Sequence, residues 1–138
     1  MTSTDPEGDA GRDPAHDPVW QPKPADHDYT AAVSYLSLTI SRKQAEDVAQ
    51  RLRDARVETF KAKDILRASG LPLLPRENPD VAKQLGRIAA GEPLSPCLIV
   101  RGDLSTGRQA QIADGYHRVC ASNYTDEDAD IPVKIVEL

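Results

Sequence analysis

The sequence predicts a small α+β domain, with helices packed on a small mixed sheet and one or two extra helices in front. Three observations point there. Short apolar runs of strand length, VETFK, PCLIV and PVKIV, alternate with segments whose apolar residues recur every three or four positions. The 138 residues amount to one ordinary domain and hold no internal repeat. Charge is concentrated at one end, since residues 1–28 carry seven acids and two bases while the other 110 carry 15 of each.

Residues 1–27 read as an acidic, proline-rich tail. Five of the 11 prolines lie in the first 24 positions, and Asp-Pro recurs at Asp5-Pro6, Asp13-Pro14 and Asp17-Pro18. Only Val19 and Trp20 offer apolar surface, too little to offset the entropy of ordering, so the tail is expected to be disordered. Trp20, the single tryptophan, would anchor onto the domain or onto a partner.

A single domain follows over 28–138, with a helical extension (28–56) and a core (57–138). In DYTAAVSYLSLTI a short helix from Asp28 would turn Ala32, Tyr35, Leu36 and Leu38 inward. Ser41 and Gln44 make a capping box, and Ala45, Val48, Ala49 and Leu52 give an apolar stripe, so a helix runs from Arg42 to Ala55. Its stripe packs on the domain or grips a partner helix. Val57 to Lys61 alternates as a strand, and Lys63 to Ser69 is a helical turn or two stopped by Gly70 and Pro72. Asn78 caps the next helix with Pro79 at its first position, and the stripe Val81, Leu85, Ile88, Ala89 ends at Gly91. Pro96 to Arg101 and Gln109 to Ala113 pair as a hairpin across GDLSTG, Tyr116 to Tyr124 is a helix, and Pro132 to Leu138 is a closing strand.

Composition excludes several functions. A neutral core behind an acidic tail lacks the basic excess that neutralises a phosphate backbone, so DNA binding is not expected. No apolar run approaches the ~20 residues that span a bilayer, and the N-terminus is unlike a signal peptide; a soluble, cytoplasmic protein is expected. Cys97 and Cys120 have neither disulfide-framework nor CxxC spacing, and each sits in an apolar run as a small core residue. His117 is the only histidine beyond the tail, so no histidine-based metal site is expected.

The informative stretch is IADGYHRVCAS, residues 112–122. The helix stripe there is Tyr116, Val119, Cys120, Asn123 and Tyr124, which leaves His117 and Arg118 off it in the first turn. Unpaired amides and the positive end of the helix dipole already favour an anion at that place. A cation there is opposed by ~0.3–1 kcal/mol unless a phosphate or carboxylate restores the balance. Arg118 would fork two N–H bonds onto phosphate oxygens, His117 would donate one or shuttle a proton, and Gly115 leaves room for close approach. In the structural alternative His117 is merely exposed and Arg118 pairs with one of Asp126, Glu127, Asp128 or Asp130.

The run DGYHR, followed by a small-residue helix and IPVKIV, resembles the ParB/sulfiredoxin superfamily, whose members carry a strand, a Gly-x-[His/Arg]-Arg turn and a helix. The upstream VAKQLGRIAAGEPLSPCLIVRG is similar to that family's second signature, a helix ending in Gly, a link with Pro and an apolar strand. The resemblance covers Val57 to Leu138 and implies a stand-alone nucleotide-binding domain without a helix-turn-helix. By it, Gly115, Tyr116, His117 and Arg118 lie at the phosphates of a nucleoside triphosphate or diphosphate, and Asp114 positions Mg2+ or a substrate hydroxyl. Gly91 and Pro96 shape the second wall, with Lys83, Gln84 and Arg87 as pocket residues. His117 and Asp114 are then the candidate catalytic groups of an NTPase or small-molecule phosphotransferase. Tyr116 replaces the reactive cysteine of sulfiredoxin, so sulfinic acid reduction is not expected. The alternative is a non-catalytic interaction module that recruits a protein partner through the acidic tail and helix Arg42 to Ala55.

Overall fold

The computed structural model describes residues 17–138. Along them run α1 (Asp26–Leu36), α2 (Arg42–Asp54), β1 (Glu58–Lys61), α3 (Ala62–Ser69), α4 (Pro79–Ala89), β2 (Cys97–Val100), β3 (Gln111–Asp114), α5 (Tyr116–Thr125) and β4 (Asp130–Val136). The strands form one mixed sheet in the order β1-β4-β2-β3, parallel between β2 and β4 and antiparallel at the other two pairings. The α+β expectation is met. β3 starts at Gln111 because the preceding residues close a turn, where Asp103 bridges Arg108 and the Ala110 amide donates to Ala68 O at 3.1 Å.

The unbroken run CLIV is explained by its central place, buried on both faces. Cys97 and Ile99 join the apolar cluster beneath α3, α4 and α5, whereas Leu98 and Val100 join a second cluster beneath α1 and α2. β4 alternates likewise, sending Ile131 and Val133 to the first cluster. Lys134 points the other way, and its Nζ donates to Arg53 O near the C-terminal end of α2 at 2.8 Å. Burial lowers its pKa. The helical extension is thus one of three layers, and without it Leu98, Val100 and Ala113 would face water. The stripe of α2 is spent on this packing, with Ala45, Val48, Ala49 and Leu52 buried.

Three expectations are corrected. α1 begins at Asp26, and its buried stripe is Tyr29, Ala32, Val33 and Leu36, set by Tyr29 in the first turn. Tyr35 and Leu38 therefore turn out to solvent, Leu38 at 86% exposure. Second, within the tail expected over 1–27, residues 1–16 lie outside the described residues, but 17–27 are held. The Leu94 amide donates to Val19 O at 2.7 Å, the Gln21 amide donates to Leu94 O at 2.8 Å, and Trp20 packs on the cluster beneath α3, α4 and α5. The indole stands on its own domain. Third, Arg118 pairs with none of the acids at 126–130, as described next. No described helix is long and apolar enough to cross a membrane.

Candidate functional site

The turn from β3 into α5 is tight. Gly115 has φ +113°, a backbone that L side chains rarely adopt, and a Cβ built there would stand 2.5 Å from Cys97 Sγ. Glycine is required twice over, for its dihedral and for its lack of bulk. Gly115 is the N-cap residue of α5, so no side chain caps the helix, and its first turn carries no acid. The amides of Tyr116, His117 and Arg118 consequently have no intrahelical partner and face whatever approaches the helix end.

Beneath this turn lies a charged cluster assembled from three segments, the start of α1, the link into β2 and the turn from β3 into α5. Arg118 Nη2 donates to Asp114 Oδ2 at 2.8 Å and to Pro96 O at 3.4 Å, while Nη1 stands 4.0 Å from Asp28 Oδ1. The side chains of Arg118 and Asp114 are only 14% and 16% exposed, and that of Asp28 only 4%. Asp28 also accepts from the Ala25 amide at 3.0 Å, which ties the start of α1 to the cluster. Two carboxylates therefore share one guanidinium. Burial raises the Asp114 pKa, Arg118 offsets this in part, and Asp28 adds to the rise. Arg118 is held firmly protonated despite its burial, by the Asp114 and Asp28 carboxylates around it. The Cys97 thiol, packed under Gly115, is pushed up by burial, and so is that of Cys120.

Arg118 is thus not the solvent-facing arm expected from its place off the apolar stripe. The i, i+4 spacing to Asp114 folds it back across the turn, where it locks β3 to α5. Asp114 is correspondingly committed to Arg118. Pro96 joins the cluster through its carbonyl, but Gly91 does not wall it, since a Cβ built on Gly91 meets nothing within 4 Å.

His117 does face outward. Its side chain is 39% exposed, with Nε2 3.7 Å from Asp80 Oδ2 in the first turn of α4. Tyr116 lies beside it, ring centroids 5.6 Å apart and planes tilted by 34°, and its hydroxyl donates to Pro72 O. One and two turns beyond Asp80, Lys83 and Arg87 are exposed, and neither has an ion-pair partner among the described residues. Gln84 Oε1 on α4 and Arg118 Nε on α5 are buried with no hydrogen-bond partner among the described residues. No group of three or more metal-ligating side chains occurs among the described residues.

The DGYHR motif found this turn. It gave no sign of Asp28, Cys97 or Asp80, which arrive from 90, 21 and 38 positions upstream of Arg118 in the chain or close to it. An acid in the first turn of a helix reads as a dipole partner, and only its burial shows that Asp28 has a second task. No family model, curated protein or solved structure matches the chain.

Proposed function

We propose that the N-terminus of α5, together with the adjoining face of α4, binds the phosphates of a nucleoside triphosphate or diphosphate, in the manner of a ParB/sulfiredoxin-like domain. The observation that carries this reading is the uncapped first turn of α5, free of acids, opening on a glycine at φ +113° and flanked by His117. The unpaired Lys83 and Arg87 supply positive charge on the neighbouring helix. Gln84, with its orphan oxygen, is an acceptor for a ligand donor.

Roles divide differently from the motif's first reading. The amides of Tyr116 to Arg118 and the His117 imidazole contact phosphate, displacing exposed Asp80 as the partner of His117. Arg118 acts from below as a positioning residue: it fixes the backbone whose amides point at the ligand. His117 is the one group placed to move a proton to or from a phosphate oxygen. Asp114, spent on Arg118, supplies neither metal nor hydroxyl contact in this arrangement.

Titration calorimetry of the full chain with ATP, CTP, GTP and ADP, with and without Mg2+, tests the reading. At least one nucleotide should bind, its nucleoside should not, and His117→Ala and Lys83→Ala should each weaken affinity about tenfold. Absence of heat with every nucleotide at millimolar concentration overturns it. Phosphate release measured on the same samples separates turnover from binding alone.

A further inference from the structure

The opposite end of the α3 face holds a cavity that the phosphate site does not use. All four strands supply its floor, through Phe60, Ile135, Ile99 and Ile112, and α3 forms one wall. The segment between β2 and β3 closes it as a strap. At one end of the strap, Gly102 lies so near Arg108 O that a Cβ would stand 2.6 Å from it. At the other, the Ala110 amide donates to Ala68 O at 3.1 Å, and the Gln109 side chain packs on Gly70, which stops α3. The strap is pinned to the helix it faces, so the cavity is preformed.

Its volume is about 200 Å³. A dry apolar cavity of ~150 Å³ suffices for benzene, so this one takes a branched alkyl or single aromatic group with a small head. Two of its lining residues are charged, Arg101 from the strap and Asp64 from α3. Each stands at the rim with its side chain 46% exposed, and each is paired only with a more exposed neighbour, Arg101 with Glu137 at 2.7 Å and Asp64 with Arg67 at 3.3 Å. Such surface pairs hold weakly and exchange readily with a better placed ion. A carboxylate alone would meet Arg101 and be repelled by Asp64, and an amine alone would meet the reverse. A molecule with both charges on one carbon satisfies both walls.

From this combination of an apolar floor and one rim charge of each sign we infer that the cavity is a binding site for a free α-amino acid with a branched aliphatic or aromatic side chain. The side chain enters over Ile99 and Ile112, the carboxylate pairs with Arg101 and the ammonium with Asp64. This site is separate from the phosphate-binding turn and does not rest on it.

Calorimetry of the full chain with L-leucine and L-phenylalanine is the direct test, with L-serine, 4-methylpentanoate and 3-methylbutylamine as comparisons. Leucine or phenylalanine should bind, and serine and the two half-molecules should bind at least about tenfold more weakly. Asp64→Asn and Arg101→Gln, both with half-exposed side chains, should each cost a similar factor while leaving the melting temperature nearly unchanged. Ala68→Phe, which fills the cavity from an exposed helix position, should abolish binding. No heat with either amino acid, or equal binding of the acid or amine alone, overturns the inference, as does binding that survives all three substitutions.

Discussion

Replacing Arg118 by Ala separates a ligand arm from a positioning residue. A solvent-facing arginine could be removed at almost no cost to the fold. Here the guanidinium is 14% exposed and faces two buried carboxylates, Asp114 at 2.8 Å and Asp28 at 4.0 Å, the second of which also has the exposed His27 imidazole at 3.4 Å. Breaking one side of a buried pair typically costs ~3–5 kcal/mol, because the remaining charge stays desolvated. The slight access of water to Asp114 places the expected loss near the lower end, about 3 kcal/mol. For a domain of this size that corresponds to a fall in Tm of roughly 10 °C.

The loss should also depend on pH. The folded-state pKa of Asp114 lies above its ordinary value, so between the two values the folded state binds more protons than the unfolded chain. Stability therefore falls as pH rises through that window. Without Arg118 the main influence lowering that pKa is gone, the window widens upward, and the deficit of Arg118→Ala should grow as pH rises above the ordinary carboxylate range. Thermal unfolding of the parent, Arg118→Ala, Asp114→Asn and the double variant across and above this range is the assay. In the cycle, Asp114→Asn should rescue part of the Arg118→Ala loss at the higher pH, and a coupling near zero, or a Tm within 1–2 °C of the parent, would refute the buried-cluster argument.

Trp20→Ala should destabilise by about 1–3 kcal/mol, less than a fully buried tryptophan because the indole is half-buried, and a Tm equal to the parent's would show that it does not dock. Gly115→Ala should cost about 2–4 kcal/mol from the positive φ and the contact with Cys97 Sγ; adding Cys97→Ala should recover only the share of the steric cost that Sγ imposes, as read by urea unfolding. Cys97 and Cys120 should resist a thiol reagent such as Ellman's in native buffer and react fully in denaturant, since both are buried with raised pKa values; rapid native labelling of either would overturn this.

Most of the fold was legible because its signals are local. The capping box at Ser41 and Gln44, Asn78-Pro79 ahead of α4 and Gly70 after α3 each act within a few residues, and each element lies where its cap places it. What was not legible is long-range. The phase of α1 depends on which turn meets the sheet, and the choice fell to Tyr29, over whose ring Arg53 stacks at 4.2 Å, rather than to Tyr35. The place of Trp20 depends on Leu94, a partner some seventy positions away, and composition alone made that segment look like tail.

The same division runs through the candidate site. Gly115 and the uncapped helix start are backbone properties of a short motif, and the sequence places them without help. The side chains are not, because whether an arginine in a first turn reaches out or folds back is decided by what lies beneath it. Asp114 alone, four residues before Arg118, could draw it back across an exposed turn only weakly, since such i, i+4 pairs contribute ~0.2–0.5 kcal/mol. It is the roof formed by α1, with Asp28 buried against the pair, that removes water and makes the inward geometry stable. The helices read as an extension of the domain thus decide the role of its most distinctive residue, and a variant such as Asp28→Asn should alter Arg118 although α1 holds none of the groups proposed to contact phosphate.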